Sequence, residues 1–319
     1  MNMKEKKSQT LYCEDNGSCT SQHTPDYSAR QNQVIEMYVF LDPLCPECWA
    51  MEPMMKKLRM EYGDFLRFHV VLTHDLESYN SPCGSHFRSL MKEMAQSYNE
   101  TGCRTGMPCD GDVWYENDLD RTTPYTAVMA VKAAELQGRA VGSRYLRRLR
   151  EALFMYKENI ADDHVLINCA IRTEGMDVDE FVKDLHSPST EKALSGDQCT
   201  AREMDITSTP TFVFFGMDTD EPGLKVEGLY PYHVYESILE DLHPEELNKR
   251  KPIPLLDFVQ SYSIVATKEI AVVYDMSLEE AGREMRKLKL QQKVEEVPAK
   301  HGSFWRALHT SYENKSTTF

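Results

Sequence analysis

The stretch "FLDPLCPECWAMEP", Phe40 to Pro53, sets Cys45 and Cys48 two residues apart. Two thiols at this spacing, where an apolar strand pattern gives way to a helix, are suited to thiol–disulfide exchange. A helix starting here turns its unpaired N–H groups toward Cys45 and stabilises a thiolate there. Cys45 is then the nucleophile, and Cys48, one turn further in, the resolving thiol. A second feature lies far along the chain. In "ITSTPTFVFFG" Thr209 and Pro210 open a strand. A proline so placed fits a cis-proline facing the dithiol, with backbone able to pair with an extended peptide. The catalytic set, if the pair is redox-active, is Cys45, Cys48 and Pro210. Candidates for contact with a partner are Trp49, Thr209, Pro210 and Thr211. The residues around the thiols pull the other way. Glu47, between the cysteines, and nearby Asp42 raise the cost of a thiolate by like-charge repulsion. The motif leaves two readings open: a redox-active pair, or a fold retained around a marginal dithiol.

The elements that must position these residues are legible in the hydrophobic pattern. "VIEMYVFL" and "FLRFHVVLT" read as strands on either side of a helix, "ECWAMEPMMKKLRMEYG", with Gly63 at its end. Strand, helix, strand in this order predicts a βαβ unit with a right-handed crossover. Residues 84–204 carry five segments of helical periodicity, from "HFRSLMKEMAQSYNE" to "DVDEFVKDLHS". The strand after Pro210, a shorter strand "LKVEGL" and the helix "PYHVYESILEDL" follow. This order is a thioredoxin fold of the DsbA-like kind, spanning 33–244 and carrying a helical insertion over about 84–204. A Pro-rich linker, 245–254, precedes three short helices and two strand-like runs about Lys300-His301-Gly302. That order predicts a winged-helix-like domain over 255–312.

Composition narrows the function classes. The net charge of −15 over 319 residues argues against nucleic acid or an anionic membrane as the main partner. No apolar run approaches the roughly 18 residues that span a bilayer. The N-terminus has no apolar core of a secretory signal, so the expected compartment is the cytoplasm. Residues 1–32 are polar and aperiodic and read as a mobile tail. Cys13, Cys19 and His23 within it are weak metal-ligand candidates, and no metal site is predicted. The nine cysteines are an odd number, and a reducing compartment disfavours structural disulfides. Cys169 reads as a small buried hydrophobe, and Cys83, Cys103, Cys109 and Cys199 as buried or loop thiols. Met51, Met54, Met55, Met60, Met91 and Met94 read mainly as core filling, with an adaptable surface around Trp49 as the other option. Between Leu255 and Tyr312 eight basic residues face eight acidic ones, so this domain is neutral where a DNA binder concentrates positive charge. No GxxxxGK[ST] motif appears, and no cofactor is predicted.

The segments "DPLCPECWAMEP", "CDGDVWYENDL" and "TSTPTFVFF", with the long C-terminal extension, resemble the YjbH/SpxH family of Bacillota over nearly the whole chain beyond the tail. The resemblance implies a DsbA-related fold serving as an adaptor that binds the stress regulator Spx and promotes its degradation by the ClpXP protease. Cys45 and Cys48 fall on the CxxC positions and Pro210 on the cis-proline. The function expected is therefore a non-catalytic adaptor. The alternative is a cytosolic DsbA-like thiol–disulfide oxidoreductase using Cys45 and Cys48.

Overall fold

The computed structural model describes residues 34–73, 85–116, 125–216 and 221–308. The expectations placed on the tail, on Cys13, Cys19 and His23, and on Cys83 lie outside the described residues. The chain begins with β1 (Ile35–Leu41), α1 (Pro46–Ala50), α2 (Glu52–Tyr62) and β2 (Leu66–Leu72). β1 and β2 pair in parallel from Ile35↔Leu66 to Leu41↔Leu72, as a βαβ unit requires. The single helix expected after the thiols is two. Pro53, in the first turn of α2, has no N–H to continue the ladder from α1, and Met51 forms the joint. Gly63 ends α2 through space and not through a left-handed turn, since a Cβ there would lie 2.4 Å from the Arg59 carbonyl oxygen.

Among the described residues seven helices follow: α3 (Ser85–Thr105), α4 (Val113–Glu116), α5 (Tyr125–Leu136), α6 (Arg139–Phe154), α7 (Asp163–Ile171), α8 (Val178–Asp184) and α9 (Pro188–Glu203). Two were not expected. α4 is a single turn, and α9 is too polar to show a clear apolar stripe. Its start is nevertheless written in the sequence: Ser187 caps the Thr190 N–H and Pro188 sits in the first turn. The sheet is completed by β3 (Thr211–Phe215) and β4 (Leu224–Glu227), and α10 (Tyr232–Leu242) closes the unit. Strand order is β2-β1-β3-β4, with β3 antiparallel to both of its neighbours. Alternation along β1 sends Ile35, Met37, Val39 and Leu41 into the main core and Phe40 into a smaller cluster with Val71, Ala201 and Val213.

After an irregular stretch come α11 (Leu255–Tyr262), β5 (Ile264–Ala266), α12 (Thr267–Val273), α13 (Leu278–Leu290), β6 (Val294–Ala299) and β7 (Gly302–Ala307). This is the winged-helix order, with a three-residue strand, β5, added to the expected helices and hairpin; it pairs with β7. The C-terminal elements have a core of their own, including Phe258, Ile270, Met285 and Trp305. They do not stand apart from the rest. Ile264, Ala266 and Phe304 are part of the main core, so alternate residues of β7 serve two cores.

Candidate functional site

Cys45 is the N-cap of α1. Its backbone is extended, at φ −68° and ψ 122°, and its Sγ accepts from the Cys48 N–H at 3.4 Å. Asp42 shapes the approach: its Oδ1 accepts from the Leu44 N–H at 2.8 Å and its carbonyl from the Cys45 N–H at 3.2 Å. Across the mouth, the Cys45 Sγ lies 3.7 Å from the Thr209 carbonyl oxygen, and the Thr209–Pro210 peptide bond is cis. The fold thus brings together the two thiols and the proline that lie 165 residues apart along the chain, Cys45 to Pro210.

The two thiols are shifted in opposite directions. Hydrogen bonding from the Cys48 side chain, helped by its backbone N–H, outweighs burial and the Asp42 charge, and brings the Cys45 thiol below its ordinary value. Burial pushes the fully enclosed Cys48 thiol well up, and the hydrogen bond and charge of Cys45 add to this. An accessible nucleophile over a protonated resolving thiol is the arrangement that exchange chemistry needs. Glu47 does not oppose it as its position in the motif suggests. Its carboxylate is turned to α3, where it accepts from Thr101 Oγ1 at 2.6 Å and pairs with Arg104. Asp42 acts as expected and raises the Cys45 thiol.

The candidates for partner contact fare differently. Cys45 and Thr209 are half-buried and face the mouth, and Ser208 before them is exposed. Trp49 is not at the surface: it has 0% exposure. Its ring stacks on Phe154 at 5.2 Å, Arg147 lies 4.6 Å over it, and Nε1 donates to the Pro108 carbonyl at 2.8 Å. The cause is that Trp49 follows Cys48 on the face of α1 turned toward the helical insertion and the C-terminal β7, whose Phe304 also touches it. Pro210 is buried and its carbonyl accepts from the Gly228 N–H at 2.8 Å. Thr211 is fully buried, with Oγ1 donating to the Ser208 carbonyl at 2.8 Å. Nor does the strand after Pro210 present a free edge, because β3 is flanked by β1 and β4; the outer strand is β4. Met51, Met54 and Met55 are buried, and Met60, Met91 and Met94 are half-buried, so core filling accounts for them.

Of the other described cysteines, Cys169 and Cys109 are buried and Cys103 and Cys199 exposed. Burial raises Cys169 to about 12 and drives Cys109 well above the ordinary thiol range. Among the described residues no group of three or more His, Cys, Asp or Glu side chains could hold a metal ion, and no helix is long and apolar enough to cross a membrane.

The segment around Gly111 has a structural task that periodicity did not reveal. A Cβ on Gly111 would lie 2.0 Å from the Ala95 carbonyl oxygen, so only glycine passes α3 there. Trp114 meets Tyr98 edge-on at 5.4 Å, while Asp110 and Asp112 bind Lys300 at the tip of the β6–β7 hairpin at 3.0 and 3.2 Å. His301, beside that lysine, rests on Gly102 of α3. The wing tip is therefore docked beside the dithiol helix. Further in, Arg147 and Arg150 of α6, with Glu52, Lys56 and Glu269, form a buried ionic network between the parts of the chain; charge counting alone does not find it.

Residues 38–237 match the family model described as Thioredoxin. The ClpXP adapter protein SpxH of Halalkalibacterium halodurans is 44% identical over 308 residues, covering 96% of this chain and 100% of that protein. The ClpXP adapter protein SpxH of Bacillus subtilis is 45% identical over 276 residues, 86% of this chain and 90% of the relative. Among solved structures, a putative protein disulfide isomerase from Nitrosomonas europaea superposes with a TM-score of 0.54 at 18% identity, covering 65% of this chain and 97% of its own. A probable DsbA oxidoreductase from Streptomyces coelicolor gives 0.51 at 18%, covering 69% and 93%. These two likenesses concern the fold. The chain belongs to the thioredoxin family and, within it, to the SpxH family of ClpXP adapter proteins.

Proposed function

We propose that this chain is a cytoplasmic adaptor that binds the regulator Spx and promotes its degradation by ClpXP, through contacts and without turning over disulfides. One observation carries the reading. The likeness to ClpXP adapter proteins runs over 96% of the chain, whereas the oxidoreductase-like structures cover 65% and 69% of it. What the adaptors share with this chain thus reaches beyond what a DsbA-like fold needs. The energy for unfolding comes from the protease, and the adaptor holds no cofactor. Docking uses the rim of the mouth at Cys45, Ser208 and Thr209, together with the outer strand β4, where backbone groups can accept an extended segment. An adaptor of this kind shifts its client toward a form that the protease engages. The C-terminal unit contacts protein and not DNA: its charge is balanced and its wing tip is held by Asp110 and Asp112.

A second reading has specific support. The lowered Cys45, the raised Cys48 and the cis-proline are the parts of a thiol–disulfide oxidoreductase. Two measurements separate the readings. Gel filtration of the chain with Spx is expected to give a co-eluting complex, and insulin reduction is expected to be weak beside that of thioredoxin. Turnover equal to thioredoxin's, lost in Cys45→Ala, or failure of Spx to co-elute, would favour the enzyme.

A further inference from the structure

One peptide group governs where the Cys45 side chain points. It is the planar unit joining Leu44 to Cys45, and both of its polar ends are held. The Cys45 N–H donates to the Asp42 carbonyl at 3.2 Å, and the Leu44 carbonyl accepts from the Tyr98 hydroxyl at 2.5 Å. The helical ladder of α1 begins one residue later, at the Cys45 carbonyl, which takes the Trp49 N–H at 3.1 Å. Leu44 is 2% exposed, and a buried carbonyl outside a ladder needs another donor. A side chain of α3, 54 positions along the chain, supplies it.

Tyr98 is held firmly in turn. It is 0% exposed, and its ring stacks on Phe154 at 5.1 Å and meets Trp114 edge-on. The same Phe154 ring stacks on Trp49, so one side chain of α6 braces both Tyr98 and the residue that follows the dithiol. The place of Cys45 Sγ depends on this support. With the peptide plane fixed and Cys45 at φ −68°, the side chain is aimed at the Cys48 N–H, 3.4 Å from Sγ, and at the Thr209 carbonyl, 3.7 Å away. Both are long contacts, and a small tilt of the plane lengthens them past hydrogen-bonding range.

We infer that Tyr98 is a positioning residue for the Cys45 thiol: by holding the Leu44 carbonyl it keeps Sγ on the Cys48 N–H. The helical insertion thus sets the reactivity of the dithiol and does not merely cover it. The inference concerns the thiol alone and stands apart from the adaptor reading. The test is the pH profile of Cys45 alkylation by iodoacetamide in the native full chain, read by site-resolved peptide mapping. Tyr98→Phe removes the hydroxyl and keeps the ring. Its Cys45 midpoint is expected to rise by about half a pH unit, which slows labelling near neutral pH about threefold. Loss of the N–H contact makes the thiolate harder to form. Trp114→Phe is the control for packing. It trims the ring cluster, leaves the Tyr98 hydroxyl in place, and is expected to lower the Tm while keeping the parent's midpoint. A Tyr98→Phe midpoint that stays or falls overturns the proposal. So does a Trp114→Phe midpoint that rises as far as that of Tyr98→Phe, since loss of packing would then account for both.

Discussion

Lys56 and Glu269 stand 213 positions apart in the chain and form an ion pair in which the two side chains are 2% and 0% exposed. Arg147 joins them, its Nη1 2.8 Å from the same Glu269 oxygen, and the other oxygen accepts from the Ala266 N–H at 2.7 Å. One carboxylate thus links the dithiol segment, the helical insertion and the C-terminal unit. Such a network adds little to net stability, because desolvation offsets much of the attraction. Breaking it is another matter.

Glu269→Gln leaves two buried cations short of their counter-charge and is expected to cost about 3–5 kcal/mol at neutral pH. The cost has a defined pH dependence. Burial alone would raise the Glu269 carboxyl, but the charges of Arg147 and Lys56 outweigh it and bring it from 4.5 to about 2. A lowered folded-state value means that the contribution is complete above pH 4.5 and is lost as pH falls toward 2. Urea midpoints at pH 7, 5 and 3 check this: the gap between parent and variant should be constant down to pH 5 and narrow at pH 3. A gap that widens in acid contradicts the assignment.

Trp49→Ala is expected to lower stability by about 3–5 kcal/mol, the range for a fully buried large aromatic. Trp49→Phe keeps most of the packing and removes the donor to the Pro108 carbonyl, at a cost of about 1–3 kcal/mol. Chemical denaturation of both variants measures this directly. Unchanged stability would return Trp49 to the surface role suggested by its position beside the thiols.

Both outcomes turn on what can be read before a fold is known. The dithiol, the cis-proline and the βαβ frame were legible because each is local: a spacing, a Thr-Pro step opening a strand, an alternation of apolar residues. The winged-helix order was legible for the same reason, apart from β5, whose three residues are too few to show a period. The state of Trp49 was not legible, since its burial depends on Phe154 and Phe304, from two distant segments. The pairing of Glu47 with Arg104 is equally non-local, and it offsets the effect that the carboxylate would have on its own. The Gly111 segment stood out as a family feature, and its reason, passage past the Ala95 carbonyl, appears only in three dimensions.

Cys45 should be the fast thiol of the mouth. Iodoacetamide labelling of the native chain, followed by peptide mapping, is expected to modify Cys45 ahead of Cys48, Cys109 and Cys169. Its labelling rate should rise through a midpoint below the ordinary thiol value of 9.0. Removing Cys48 takes away the largest stabilising contact, so Cys48→Ala should move the Cys45 midpoint upward. A midpoint unchanged by Cys48→Ala would mean that the helix terminus alone sets the thiolate.

A random DNA duplex titrated at low salt should show no tight binding by fluorescence anisotropy. Low salt exaggerates any electrostatic association, so it is the most demanding condition. The neutral C-terminal unit and its docked Lys300 motivate the expectation. Tight binding that weakens steeply as salt rises would contradict it.

The most direct test of the adaptor reading is the half-life of purified Spx with ClpXP and ATP, without adaptor, with the parent chain and with Cys45→Ala/Cys48→Ala. The account predicts a half-life shortened severalfold and equally by parent and variant, because the fold presents the client and the thiols are not turned over. An unchanged half-life at saturating parent chain would contradict the adaptor function. Acceleration by the parent that vanishes in the variant would instead place the chemistry of the dithiol at its centre.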